Sequence, residues 1–141
     1  KAGKAEFDIL CLLNVKTEKS LVGRIVQDVV TTPSRKIAKA QGENGALTWV
    51  CSYNNDGDAL LLELPGEETK IELITKTRPD DFIEELKQIE FRIQGSEESC
   101  GIDWERGLET MLVIAAAHLS EQKGERVTID YDQGYTLDAL S

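Results

Sequence analysis

The chain has 141 residues, of which 40% are hydrophobic and 30% charged, with a formal net charge of −10. That length supports one core and argues against two, and the composition is that of a globular rather than a disordered chain. The negative charge disfavours nonspecific nucleic-acid binding, and no apolar run approaches the roughly 18 residues of a membrane span, so neither a nucleic acid nor a membrane is an expected partner.

From Glu6 to Asn14 the sequence reads as a strand with little alternation. Phe7, Ile9, Cys11 and Leu13 fall on one face, with Leu10 and Leu12 on the other. Leu21 to Thr32 is a second strand: Val22, Val26 and Val30 share one side, and Leu21, Ile25 and Val29 the other. A half-buried strand carries a polar second face, so both strands predict a sheet covered on both sides. Pro33 then breaks the pattern by removing a backbone donor and holding Thr32 extended.

Arg35 to Ala40 predicts a short third strand, followed by the turn Gln41-Gly42-Glu43-Asn44-Gly45, whose glycines suit positive φ. Ala46 to Tyr53 predicts a fourth strand carrying Leu47, Trp49 and Cys51. Asn54-Asn55-Asp56-Gly57-Asp58 is the clearest hairpin signal in the chain. Ala59 to Leu64 and Thr69 to Ile74 follow as strands, separated by Pro65-Gly66.

The period then changes. Phe82, Ile83, Leu86, Ile89 and Ile93 recur at helical spacing after Pro79 and before Gly95. The longest helical signal runs from Asp103, a capping residue, through Trp104, Leu108, Met111, Leu112, Ala115 and Leu119 to a stop at Gly124. Arg126 to Asp130 reads as a short closing strand, and the tail from Tyr131 to Ser141 is too polar to place. The expected fold is α+β: an open, predominantly antiparallel sheet with two main helices packed on one face, in a single domain over residues 1–141. Two helices cannot hide both sheet faces. The remaining apolar face therefore needs a partner, either a second copy or a further domain.

Chemical signals are sparse. Gly42-Glu43-Asn44-Gly45 lacks the glycine spacing and strand-to-helix context of a phosphate loop and reads as a hairpin turn. His118, the sole histidine, lies near the end of the long helix with no recognisable relay partner. The adjacent carboxylates Asp80-Asp81 and Glu97-Glu98 do not converge as acid–base pairs must. Asp80 to Glu98 holds seven acidic and two basic residues and reads as a solvated face followed by an acidic loop. Trp49 and Trp104 sit on periodic elements and read as core or interface residues. Cys11, Cys51 and Cys100 are odd in number and widely spaced, which fits neither a disulfide scaffold nor a zinc site and suits a reducing cytoplasm.

Arg24 to Lys39 carries four basic residues against Asp28. Within it Arg35 and Lys36 follow the Pro33 break, where a strand-end residue can reach a cleft, and Gln27 and Asp28 point to opposite faces of their strand. Gln27, Arg35 and Lys36 are the substrate-side candidates. A solvated strand edge is the plain alternative. No residue of this chain is assigned a catalytic, cofactor-binding or metal-ligating role.

Three segments in order, Gly23-Arg-Ile-Val-Gln-Asp28, Pro33-Ser-Arg35 and Gly42-Glu-Asn-Gly45-Ala-Leu-Thr-Trp49, resemble the C-terminal domain of the glucose–fructose oxidoreductase/inositol dehydrogenase (Gfo/Idh/MocA) family. Members often show a glycine-containing strand, a Pro-x-Arg-like loop and a Gly-x-x-Gly turn before a strand. Trp104-Glu-Arg-Gly-Leu108, Ala115 to Ser120 and Gly124-Glu-Arg-Val127 resemble the family's closing helix and strand. The likeness covers nearly the whole chain, and its motifs are telling as an ordered set and weak singly.

The resemblance implies an N-terminal Rossmann domain that binds NAD or NADP, absent from these residues, and a sheet domain that shapes a sugar or polyol site and commonly supplies the oligomer interface. The dinucleotide fingerprint, the Glu-Lys-Pro motif with the catalytic lysine and the Asp-x-x-x-His motif are all missing here, and His118 matches none of them. The expectation is therefore a substrate-binding and association domain of an NAD(P)-dependent oxidoreductase, inactive by itself. The alternative is a non-catalytic dimeric scaffold or ligand-binding module.

Overall fold

The computed structural model describes residues 8–95 and 103–141. The expected strand start at Glu6 and Phe7, the carboxylates Glu97 and Glu98, and Cys100 lie outside the described residues. Among the described residues, six strands precede two helices: β1 Leu10–Lys16, β2 Val22–Asp28, β3 Ile37–Gly42, β4 Gly45–Asn54, β5 Gly57–Glu63, β6 Lys70–Thr75, α1 Arg78–Ile93 and α2 Trp104–Lys123. The expected α+β class holds. Every strand pairing is antiparallel, but the strands form two sheets rather than one: the ribbon β1-β2 and the meander β3-β4-β5-β6. The division falls at the segment from Val29 to Lys36, where Pro33 interrupts the donor pattern that a ladder requires.

The chain divides into two compact units, Lys1–Asp81 and Phe82–Ser141, with the boundary inside α1. In the first unit, turn chemistry sets each strand connection. The Asn54 side-chain carbonyl accepts from the amides of Asp56 (2.9 Å) and Gly57 (3.1 Å), closing the β4-β5 hairpin. Gly57 has φ 150°, and a Cβ there would lie 2.1 Å from the Ile74 carbonyl oxygen on β6. Gly45, φ 145°, opens β4 in the same way, against the Glu63 carbonyl at 2.3 Å. Gly42, by contrast, has no positive φ, so only the second glycine of the β3-β4 turn uses glycine's freedom.

Register fixes which residues share a face. Ala38, Trp49, Leu60 and Glu72 form one row across the meander, and Ile37, Val50, Ala59 and Leu73 form the next, on the opposite side. In the ribbon, Leu12 opposes Val26 and Leu13 opposes Ile25, so both faces are apolar, as the sequence predicts. They are not covered within the described structure: Leu12 is 64% exposed and Val22 71%.

The second unit is built on α2. Asp103 accepts from the Arg106 amide at 2.9 Å, and Gly124, in the left-handed region with φ 67°, donates to the Ser120 carbonyl at 2.8 Å. Leu112 and Ala116, one turn apart, are the buried residues of the helix. Trp104 and Met111 lie exposed on the same helix, which sets aside the core alternative for Trp104 and leaves the interface one. The closing strand expected over Arg126 to Asp130 is reduced to one bridge, Ile129 with Leu140. The tail is ordered instead by backbone bonds exchanged between Thr128 and Ser141 and by single helical turns at Tyr131–Gln133 and Leu137–Ala139. Ala139 is thereby buried. No helix among the described residues is long and apolar enough to cross a membrane.

Candidate functional site

The loop between β2 and β3 carries two of the three substrate-side candidates. Asp28, the last residue of β2, turns its carboxylate onto the start of that loop. Its Oδ1 accepts from the amides of Val30 (2.9 Å) and Thr31 (2.6 Å), and its Oδ2 accepts from the Thr31 hydroxyl (2.7 Å). The Thr31 hydroxyl, then the Thr31 and Val30 amides, hold the Asp28 carboxyl below the ordinary carboxylate range. The Thr32–Pro33 peptide is cis. At the far end, the Lys36 carbonyl accepts from the Cys51 amide at 3.0 Å, which extends the β3-β4 ladder by one residue.

Arg35 and Lys36 are exposed on this loop, and Gln27 is exposed on β2 opposite Cys11. No hydrogen bond or ion pair joins the three to one another. Two other members of the basic segment are already engaged: Arg24 donates to the Asn14 side chain at 3.1 Å, and Lys39 pairs with Glu63 across β4 at 3.1 Å. Arg35 and Lys36 thus give the loop its two outward cations. That arrangement can attract an anionic or hydroxyl-rich ligand.

A concavity of about 340 Å³ lies elsewhere, at the end of the meander, lined by Lys39, Gln41, Gly45, Glu63, Leu64 and Pro65 among others. None of the three candidates reaches it. Of its charged groups, Lys39 and Glu63 pair with each other while staying about half exposed, and Glu43 lies at the exposed β3-β4 turn, so none is a charged group held away from water.

The densest polar cluster is one that local reading of the sequence missed. Asp58 at the start of β5 is 3% exposed. Its Oδ1 accepts from the Ser52 amide (2.9 Å), and its Oδ2 from the Trp49 indole N–H (3.0 Å) and the Lys76 ammonium (2.9 Å). Lys76 also donates to both oxygens of Asp81, at 3.1 and 2.9 Å. Ser52 reaches Asp58 because it has φ 52° at the irregularity in β4 between Val50 and Asn54. The Ser52 amide and then Lys76 push the Asp58 carboxyl down, while the bonds to Asp58 and then Asp81 push the Lys76 ammonium well above the lysine range. A proton-transfer group works best near the operating pH, so this pair, driven apart in both directions, is a poor acid or base. Its fitting role is structural.

Local spacing shows only Asp58 ahead of the apolar run Ala59-Leu60-Leu61-Leu62; the cross-strand rows that set Asp58 beside Trp49 become visible once register is known. The adjacent carboxylates Asp80 and Asp81 likewise serve separately. Asp80 Oδ2 accepts from the Thr77 amide at 2.5 Å, capping α1, while Asp81 binds Lys76. Among the described residues, no group of three His, Cys, Asp or Glu side chains is placed to hold a metal ion, and Cys11 and Cys51 are free thiols. His118 is exposed on α2. Comparison of the chain with protein-family models, with curated proteins and with solved structures gives no significant match.

Proposed function

We propose that this chain is the substrate-side and association domain of an NAD(P)-dependent oxidoreductase acting on a sugar, polyol or related hydroxy compound. The observation that carries the reading is where the resembling motifs fall. Pro33-Ser34-Arg35 lies in the exposed loop between the two sheets, Gly45 makes the close approach that opens β4, and Trp104 and Gly124 stand at the two ends of the long helix.

On this reading NAD or NADP is bound by a Rossmann domain outside these residues, which would also supply the catalytic lysine and histidine. The cofactor carries the hydride chemistry, and this domain orients the substrate. Arg35, Lys36 and Gln27 are the proposed substrate-side residues. The free thiols Cys11 and Cys51 favour a cytoplasmic setting. The test is nicotinamide binding by the product of the complete native gene, followed by fluorescence titration. Binding by that product but not by the 141 residues alone is the expected result. A gene product without nicotinamide affinity overturns the oxidoreductase reading.

A second reading, a non-catalytic dimeric scaffold or ligand-binding module, is favoured by one feature: the ribbon β1-β2 exposes apolar side chains on both faces. It expects self-association without any nicotinamide-binding partner domain.

A further inference from the structure

α2 carries apolar side chains on two sides. Leu112 and Ala116 are buried. At about 100° per residue, Trp104, Gly107, Met111 and Ile114 fall in one stripe on the other side of the helix, about 15 Å long. Trp104 is 79% exposed, Met111 58% and Ile114 44%. Single exposed apolar residues are ordinary, but three aligned along a helix, one of them a tryptophan, form a surface that a partner covers. Gly107 is a second, independent observation. It has no positive φ, so the helix does not use its freedom, and glycine is a poor helix former. Among the described residues nothing lies within 4 Å of a Cβ at this position. The missing side chain instead leaves a notch between Trp104 and Met111, where the backbone of another helix can come close.

Charge narrows the occupant. The stripe holds no basic residue, Asp103 stands at its start, and Glu121 lies two turns beyond Ile114. Arg106, on the flank of the stripe, is paired with Glu109 at 2.7 Å. Residues 103–141 together hold eight acidic and three basic residues. The net charge of −10 opposes a second copy or an anionic membrane surface and favours a cationic partner.

We propose that Trp104, Gly107, Met111 and Ile114 dock a basic amphipathic helix of a partner protein. Its apolar side crosses α2 at Gly107, and its Lys or Arg side chains reach toward Asp103 and Glu121. The inference is independent of the oxidoreductase reading, because every group in it belongs to α2 and its cap.

Two synthetic peptides of equal composition test it on the 141-residue chain. One has leucines at helical spacing with lysines between them; the other is scrambled so that no apolar face forms. At about 0.15 M salt the amphipathic peptide is expected to bind about tenfold tighter or more than the scrambled one. It should also shift tryptophan emission to the blue, a shift lost in Trp104→Phe. Gly107→Gln fills the notch with a better helix former, so it is expected to melt at a higher temperature yet bind about tenfold more weakly. A variant more stable than its parent does not lose binding by unfolding. Met111→Gln, at an exposed position, should weaken binding in the same way. Equal affinity for the two peptides overturns the proposal. So does unchanged binding by Gly107→Gln and Met111→Gln, or a blue shift that survives in Trp104→Phe. Tighter binding to zwitterionic phospholipid vesicles than to the amphipathic peptide would overturn it in favour of a membrane contact.

Discussion

At Gly57 the backbone leaves no room for any side chain: φ is 150°, and a Cβ would stand 2.1 Å from the Ile74 carbonyl. Gly57→Ala is expected to destabilise the fold by about 2 kcal/mol or more, read as a lower urea midpoint, because the obstacle is backbone rather than a side chain that can turn away. Gly42→Ala is the control. Nothing lies within 4 Å of a Cβ there, so its midpoint should move by less than about 0.5 kcal/mol. Equal losses at the two positions would refute the close-approach account.

The titrating residues set an acid and an alkaline limit. Asp28 and Asp58 have depressed folded-state pKa values, so the unfolded chain binds more protons over the acid range. Their stabilisation is full above the ordinary carboxylate pKa, about 4, and is lost as pH falls through the depressed values. Lys76 runs the other way: its raised pKa gives stabilisation that is full below the ordinary lysine value of 10.5 and disappears as pH climbs through the folded value. Urea midpoints should therefore fall on both sides of a neutral plateau. Asp58→Asn is expected to lower the plateau and flatten the acid limb; an unchanged acid limb would show that Asp58 is not among the groups responsible.

At the scale of elements, the parts legible in the sequence are those set by neighbours along the chain. Asp103 and Gly124 mark the ends of α2 because capping is a contact within four residues, and Asn54 to Gly57 marks a hairpin for the same reason. Asp103→Ala should cost about 1 kcal/mol by loss of the bond to the Arg106 amide, and circular dichroism on heating should place the loss in the helical signal. An unaltered melting curve would remove the cap from the account.

What local reading does not reach is set by register and by pairing across the sheet. Asp58 meets Trp49 from the neighbouring strand and Lys76 from 18 residues away, a separation no periodicity records. The division into ribbon and meander is similar. Val29 and Val30 prolong the apolar pattern of β2, but Asp28 recruits the Val30 and Thr31 amides into a turn, and the ladder stops there. The closing strand fails for a related reason. Asp130 accepts from the Asp132 amide and the Gln133 side chain, favouring a tight turn over continued extension. Gln27, Arg35 and Lys36 were legible as an exposed, basic loop and strand edge, because a Pro break and a run of basic residues are local signals.

At the scale of the molecule the ribbon is the least self-sufficient part. A two-stranded sheet is marginal alone, and this one exposes Leu10, Leu12, Val22 and Val26 on one face, with Ile9, Val15 and Ile25 on the other. Exposed apolar side chains on both faces of one ribbon call for cover. The net charge of −10 opposes association between copies, and salt weakens that opposition without weakening apolar contact. Self-association through the ribbon should therefore tighten as salt is raised, the reverse of what an interface held by ion pairs would do. Sedimentation velocity on the unaltered chain is expected to show a dimer or higher species that grows with ionic strength. Leu12 and Val26 face each other across the ribbon, so the double substitution Leu12→Lys, Val26→Lys places two cations at the centre of one face. It should give a monomer while leaving the helical signal of α2 intact. A chain that stays monomeric at high salt, or a double variant that associates as before, would direct the search for cover away from this face and toward another domain.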